Sequence, residues 1–232
     1  MKNEYKKIID DINSVIPSIR ITRGCSGFGE KTYLMNFLIY HFNCKVTLDL
    51  GVFTGGSLFP QAKMHNKYTG GIVYGVDPLT RPDMEQHDIN TEAYLAYQKE
   101  VLDALDFDEM HQYILNTIKL LGFDNNVKFL RQRSDEAIKY FNENNIDFDL
   151  MFIDGNHDSE PALNDVKLYI PRLKDGGFFI MDDITWSTLI PAYTYAHENL
   201  KFIYEGAGFA IFQKSDKDPK EIWDMIMELI LN

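Results

Sequence analysis

Asp49-Leu50-Gly51-Val52-Phe53-Thr54-Gly55-Gly56-Ser57 ends an apolar run, Lys45–Leu50, in a cluster of small residues. An apolar run that breaks off in glycines predicts a parallel strand passing through a tight turn into a helix, here one that begins near Ser57. Glycine in such a turn lets a ligand come close to the backbone. The spacing is G-x-x-x-G-G rather than the G-x-G-x-x-G that seats a dinucleotide pyrophosphate, so NAD and FAD are disfavoured. A bare strand-to-helix turn with no ligand is the plainer reading of the same residues.

Further apolar runs alternate with longer amphipathic segments on both sides of this turn, the pattern of parallel strands joined by crossover helices. The candidate strands are Lys45–Leu50, Ile72–Val76, Val127–Arg131, Phe148–Ile153 and Gly177–Met181, then Lys201–Glu205 and Phe209–Gln213 joined through Gly206-Ala207-Gly208. The expected fold is therefore α/β, doubly wound and Rossmann-like, with a seven-stranded, mostly parallel sheet and an antiparallel last strand. The 232 residues suit one domain spanning 1–232. Two regions exceed the minimal plan: an N-terminal helical cap segment, 1–44, with Gly24, Gly27 and Gly29 in its loop, and a helical insert, 80–122, between the second and third strands. Extra segments on a rigid scaffold tend to carry specificity. Asp218-Pro219 opens a tail helix with Ile222, Trp223, Ile226, Leu229 and Ile230 at helical spacing, facing either the sheet or another subunit.

Polar groups collect at the strand ends. Tyr74-Gly75-Val76-Asp77 sets a carboxylate beside the glycine turn, where it either caps a helix or accepts hydrogen bonds from the two hydroxyls of a ribose. In Arg131-Gln132-Arg133-Ser134-Asp135, a residue such as Ser134 or Asp135 caps the next helix, and Gln132, Arg133 or Ser134 is placed to meet an adenine edge; both readings hold together. The fourth strand ends in Ile153-Asp154-Gly155-Asn156-His157-Asp158 and the fifth in Ile180-Met181-Asp182-Asp183. The carboxyl edge of an open α/β sheet is where ligands bind. Carboxylates without thiolates, and with few imidazoles, describe a site for a hard cation such as Mg²⁺, Mn²⁺ or Ca²⁺. The alternative is that Asp182-Asp183 is a strand-end turn and His157 a helix-start residue. His65, His87, His111 and His197 are expected at the surface.

Composition narrows the partners. Lys+Arg 23 against Asp+Glu 35 gives a formal charge of −12. With no basic cluster, that charge argues against nucleic acid and anionic membranes. Cys25 and Cys44 form neither a CxxC pair nor a disulfide framework. No apolar stretch has signal-peptide or membrane-span length, so the expectation is a cytoplasmic protein, with a homo-oligomer left open.

From about Val46 to Asp183 these motifs resemble the class I S-adenosylmethionine-dependent methyltransferases. The likeness is to the family that holds the metal-dependent sugar O-methyltransferases and the cephalosporin-hydroxylase-like enzymes. The resemblance implies S-adenosyl-L-methionine as cofactor. It implies that Asp49, Gly51, Thr54, Ser57, Asp77, Arg133, Ser134 and Asp154 form its binding site. Asp154, Asp182 and Asp183 become ligands of a divalent cation, Mg²⁺ or Mn²⁺, and His157, with Asp154, the catalytic group. Position 156, often acidic in relatives, is Asn156, which shifts the base role to His157. The acceptor implied is a hydroxyl of a sugar or glycosylated small molecule. A catechol-type acceptor near Tyr94, Tyr97, Phe107, Tyr113 and Trp186, and a cofactor-binding module without turnover, are the alternatives.

Overall fold

A computed structural model describes residues 2–19, 29–89 and 91–231. Cys25, Gly24 and Gly27 lie outside them. The strands are β1 (Val46–Leu50), β2 (Ile72–Val76), β3 (Val127–Leu130), β4 (Phe148–Ile153), β5 (Leu173–Met181), β6 (Lys201–Glu205) and β7 (Ala210–Gln213). They form one sheet in the order β3-β2-β1-β4-β5-β7-β6. β1 to β5 run parallel, and β7 is antiparallel to both of its neighbours, β5 and β6. The chain order reverses between β1 and β4, which makes their carboxyl ends the switch point at which such sheets bind ligands.

Helices cover both faces: α1 (Lys2–Val15), α2 (Glu30–His41), α3 (Leu58–Met64), α4 (Arg81–Met84), α5 (Glu92–Asp103), α6 (Phe107–Leu120), α7 (Ser134–Glu143), α8 (Ser159–Tyr169), α9 (Ile190–Asn199) and α10 (Lys220–Ile230). β4 shows why the sheet needs two covers. Met151 and Ile153 pack into a core with Ala137 and Phe141 of α7 and Val166 and Tyr169 of α8. Their alternates, Leu150 and Phe152, join a second core with Ile8 and Ile12 of α1, Leu38 of α2 and Ile226 of α10. A strand buried on both faces reads as an unbroken apolar run, and β4 does. α10 thus packs on the sheet through Met225, Ile226 and Leu229. A third cluster joins Ile114 and Ile118 of α6 to Val73 of β2 and Val127 of β3.

Three local details differ from the sequence expectation. β5 starts at Leu173 rather than Gly177, through an irregularity in its pairing with β4 that Gly176 accommodates at φ 82. After α3 the chain continues as a π-helical turn, His65–Thr69, closed by Gly70 at φ 65. His65, expected at the surface, is fully buried there, its ring bridging Thr47 Oγ1 at 2.9 Å and Thr69 Oγ1 at 2.7 Å. Two flanking hydroxyls satisfy both ring nitrogens, so the imidazole is buried without an orphaned polar atom. Among the described residues no helix is long and apolar enough to cross a membrane.

Candidate active site

The turn after β1 is wedged between the ends of β2 and β4. Gly51 N–H donates to Val76 O at 2.9 Å and Asp154 N–H to Leu50 O at 2.8 Å. Gly51 sits at φ 91, and a Cβ there would stand 1.8 Å from the carbonyl oxygen of Asp154. Only glycine permits this contact between the turn and the end of β4. Beneath the turn Asp49 is fully buried, and Ser57 Oγ donates to its carboxylate at 2.8 Å. Burial pushes the Asp49 carboxyl well up, against the stabilising Ser57 bond.

A cavity of about 1050 Å³ opens at this edge of the sheet. Gly51, Ser57, Asp77, Arg133, Ser134, Asp154, His157 and Asp183 line it. Asp49, Thr54 and Asp182 do not: all three are buried, Asp182 against Lys31. Asp77 Oδ2 accepts from Phe53 N–H and Oδ1 from Leu79 N–H, both at 2.8 Å. Burial raises this carboxyl while those backbone donors oppose the rise. A carboxylate oxygen can accept more than one hydrogen bond, and Asp77 is part of the cavity lining. Farther along the rim, Arg133 pairs with Asp83 at 2.5 Å and Asp135 at 3.1 Å, and Ser134 Oγ donates to Asp165. Asp165, buried in the cavity wall, has its pKa pushed up to about 6 by burial.

The acidic end differs from the carboxylate trio expected from the resemblance. Asp182 and Asp183 follow β5 directly, but their side chains go to different partners. Asp182 turns back to form a buried ion pair with Lys31 of α2. Asp183, at φ 53, swings into the cavity. The acid and imidazole atoms that share one small volume belong to Asp154, His157 and Asp183, all within 4.8 Å of one another. His157 Nε2 lies 3.1 Å from Asp183 Oδ2 and 3.7 Å from Asp154 Oδ1. It is buried, and neither contact is aligned as a hydrogen bond. Burial opposes a charged ring, but the two facing carboxylates outweigh it and raise the His157 pKa to about 9. The same pairing lowers the Asp183 carboxyl against its own burial.

The insert closes the cavity from above. Asn156 Nδ2 donates to the carbonyls of Asp83 at 3.1 Å and Glu85 at 3.0 Å. Asp158 accepts from the backbone N–H groups of His87 and Asp88. Tyr94 packs edge-on to Trp186, which lies 4.6 Å from the His157 ring. Tyr94, Tyr97 and Trp186 line the cavity. Phe107 and Tyr113, both of α6, do not: they pack against the third core cluster.

The sequence of residues 48–184 matches the methyltransferase domain family. The chain belongs to that family. The match starts within β1, ends just past Asp183 and takes in the insert. The chain is also 31% identical, over 140 residues, to an uncharacterized protein, R132, of Acanthamoeba polyphaga mimivirus. That match covers 59% of this chain, and the chain spans about half the length of that curated relative. Solved structures share the fold at low identity. The cofactor-bound Rv0187 of MTB has a TM-score of 0.59 at 13% identity, covering 91% of this chain and 89% of that one. The O-methyltransferase of Bacillus cereus in complex with SAH gives 0.53 at 13%, covering 92% of each chain. The SAH-bound methyltransferase PaMTH1 of Podospora anserina gives 0.56 at 13%, covering 89% and 86%. The family match places a methyltransferase domain over residues 48–184, and the solved structures share its fold.

Lys31, Gln86 and Asp165 are wall residues of the cavity that the sequence did not single out. Each reaches the cavity through a partner far away in the chain, and no local motif marks them.

Proposed function

We propose that the chain is an S-adenosylmethionine-dependent O-methyltransferase that holds its acceptor, a hydroxyl of a sugar or glycosylated small molecule, with a divalent cation, Mg²⁺ or Mn²⁺. The observation that carries this reading is the meeting of Asp154, His157 and Asp183 beside the glycine turn, with a buried imidazole nitrogen that faces both carboxylates without an aligned hydrogen bond.

The residues fit both groups. Two carboxylates and an imidazole suit a hard or borderline cation such as Mg²⁺ or Mn²⁺. A ring held protonated by two carboxylates is a place where positive charge is favoured, whether it is a proton or a metal. Gly51 and Ser57 would seat the methionine end of the cofactor, with Asp49 and Thr54 supporting the turn from below. Asp77 would accept from the ribose, and Arg133 and Ser134 would border the adenine. The cofactor supplies an electrophilic methyl group on a sulfonium. A cation supplies Lewis acidity, which makes a nearby hydroxyl more acidic. We read His157 as the third ligand rather than the base, since one Nε2 lone pair cannot do both. The chain then contributes alignment: the turn fixes one reactant and the acidic end the other, and holding reactants in a near-attack geometry is worth several powers of ten in rate.

A second reading has an observation of its own. Tyr94, Tyr97 and Trp186 make an aromatic wall next to His157, and flat rings also suit a catechol-type acceptor. Methyl transfer from labelled S-adenosylmethionine to sugar-bearing and catechol acceptors, with Mg²⁺, Mn²⁺ or EDTA, tests both. Turnover of sugar-bearing acceptors that EDTA abolishes is expected. Turnover of catechols alone would replace the acceptor class, and activity indifferent to EDTA would remove the cation.

A further inference from the structure

The imidazole of His157 has two faces, and the proposed function uses one. Nε2 points to Asp154 and Asp183. Nδ1 points away from the acids, 2.9 Å from the side-chain nitrogen of Gln86 in the insert. Gln86 is held on every side. Tyr94 Oη donates to its Oε1 at 2.7 Å, its backbone N–H donates to Gln98 Oε1 at 2.8 Å, and Gln98 Nε2 donates to its carbonyl at 3.3 Å. The backbone around it is tied to the loop after β4 through Asn156 and Asp158. The insert thus delivers one amide to the far side of the imidazole and fixes it there.

Both neighbours of that amide are amphoteric. A tyrosine hydroxyl donates or accepts, and a neutral imidazole nitrogen does either according to the tautomer. In the neutral tautomer with its proton on Nε2 alone, Gln86 donates to Nδ1 and accepts from Tyr94. With the proton on Nδ1, the amide turns over: Oε1 accepts from Nδ1–H, and the amide nitrogen donates to Tyr94 Oη. Both arrangements keep two hydrogen bonds, so the relay adapts without an orphaned group. A metal-binding imidazole needs the second arrangement, because its free nitrogen must carry the proton and give it to an acceptor.

We propose that Gln86 is a positioning residue for the cation site. With Tyr94 behind it, its amide oxygen takes the Nδ1 proton of His157 and so presents the Nε2 lone pair to a cation between Asp154 and Asp183. This rests on the cation reading above and adds to it: the insert, besides covering the acceptor, sets the state of one of the ligands. It also accounts for why a glutamine, able to donate and accept, stands where either one alone would serve a fixed tautomer.

Titration calorimetry of the full-length, metal-stripped protein with Mn²⁺ alone tests it, using wild type, Gln86→Leu and Gln86→Glu. Loss of an outer-shell partner of a metal-bound histidine costs about 10–100-fold in metal affinity, which is the loss expected for Gln86→Leu. Gln86→Glu, which can only accept from Nδ1–H, is expected to bind at least as tightly as wild type. A merely structural role predicts the reverse for that variant, since a new charge in the wall would harm packing. Melting temperatures establish that each variant is folded. Equal affinity of Gln86→Leu and wild type, or a fall in Gln86→Glu as large as in Gln86→Leu, would overturn the role of Gln86 and leave the cation reading standing. No Mn²⁺ binding by wild type would overturn both.

Discussion

Asp182 and Asp183 are neighbours with opposite duties, and substitution separates them. Asp183 faces His157 and Asp182 faces Lys31. Asp183→Asn is expected to weaken Mn²⁺ binding by at least about tenfold, the effect of losing a charged ligand interaction worth roughly 1.5–3 kcal/mol. Asp182→Asn is expected to leave Mn²⁺ affinity within about twofold and to lower the melting temperature instead, because it breaks a buried ion pair. Calorimetry and thermal melts on the two variants check this, and the opposite pattern would restore Asp182 as a ligand. Gly51 supplies a backbone prediction. Gly51→Ala puts a methyl group onto the Asp154 carbonyl at a φ of 91, and the combined clash and strain are expected to cost about 3 kcal/mol or more of stability, read by urea unfolding.

At the scale of elements, the π-helical turn after α3 makes stability depend on pH. Burial pushes the His65 pKa down to about 4, so the folded state holds the ring neutral. A histidine with a depressed folded-state pKa contributes stability that is full above its unfolded pKa, about 6.5, and is lost as pH falls toward 4. The total is about 3 kcal/mol at 1.36 kcal/mol per pKa unit. Urea unfolding between pH 7 and pH 4 should show this loss in wild type and a shallower slope in His65→Gln. A single histidine in a polar stretch looked like a surface residue in the sequence. Its burial depends on Thr47 in β1 and Thr69 beyond α3, a pairing no local pattern reveals. The strands themselves were legible because they are short apolar runs, most of them closed by glycine or aspartate. β5 was cut short because Lys174-Asp175-Gly176 carries turn residues, and the chain stays paired through them only by bulging. The site was legible to the extent that it sits on strand ends: Gly51, Asp77, Asp154 and Asp183 all line the cavity. Contacts such as Lys31 with Asp182 and Gln86 with His157 join distant segments, and only the assembled fold brings them together.

For the whole molecule, α5 stands out in the insert as a long helix with little buried apolar surface. α5 buries one residue, Leu102, while its face toward the cavity offers Tyr94, Tyr97 and Gln98. An element with so little buried apolar surface opens at low free-energy cost relative to the sheet. Hydrogen exchange should therefore show faster exchange in 92–103 than in β1 and β4, with protection gained when cofactor product and cation are both present. Equal protection in the two regions would make the insert a fixed wall. The central claim, that the glycine turn and Asp77 build a site for an adenosyl cofactor, is tested most directly by titrating metal-stripped protein with S-adenosylhomocysteine, with NADH as control and Asp77→Asn as comparison. The account predicts saturable one-to-one binding of S-adenosylhomocysteine, none of NADH, and at least about a tenfold loss in Asp77→Asn, as expected for a charged hydrogen-bond acceptor. Absence of S-adenosylhomocysteine binding, with or without Mg²⁺, would contradict it.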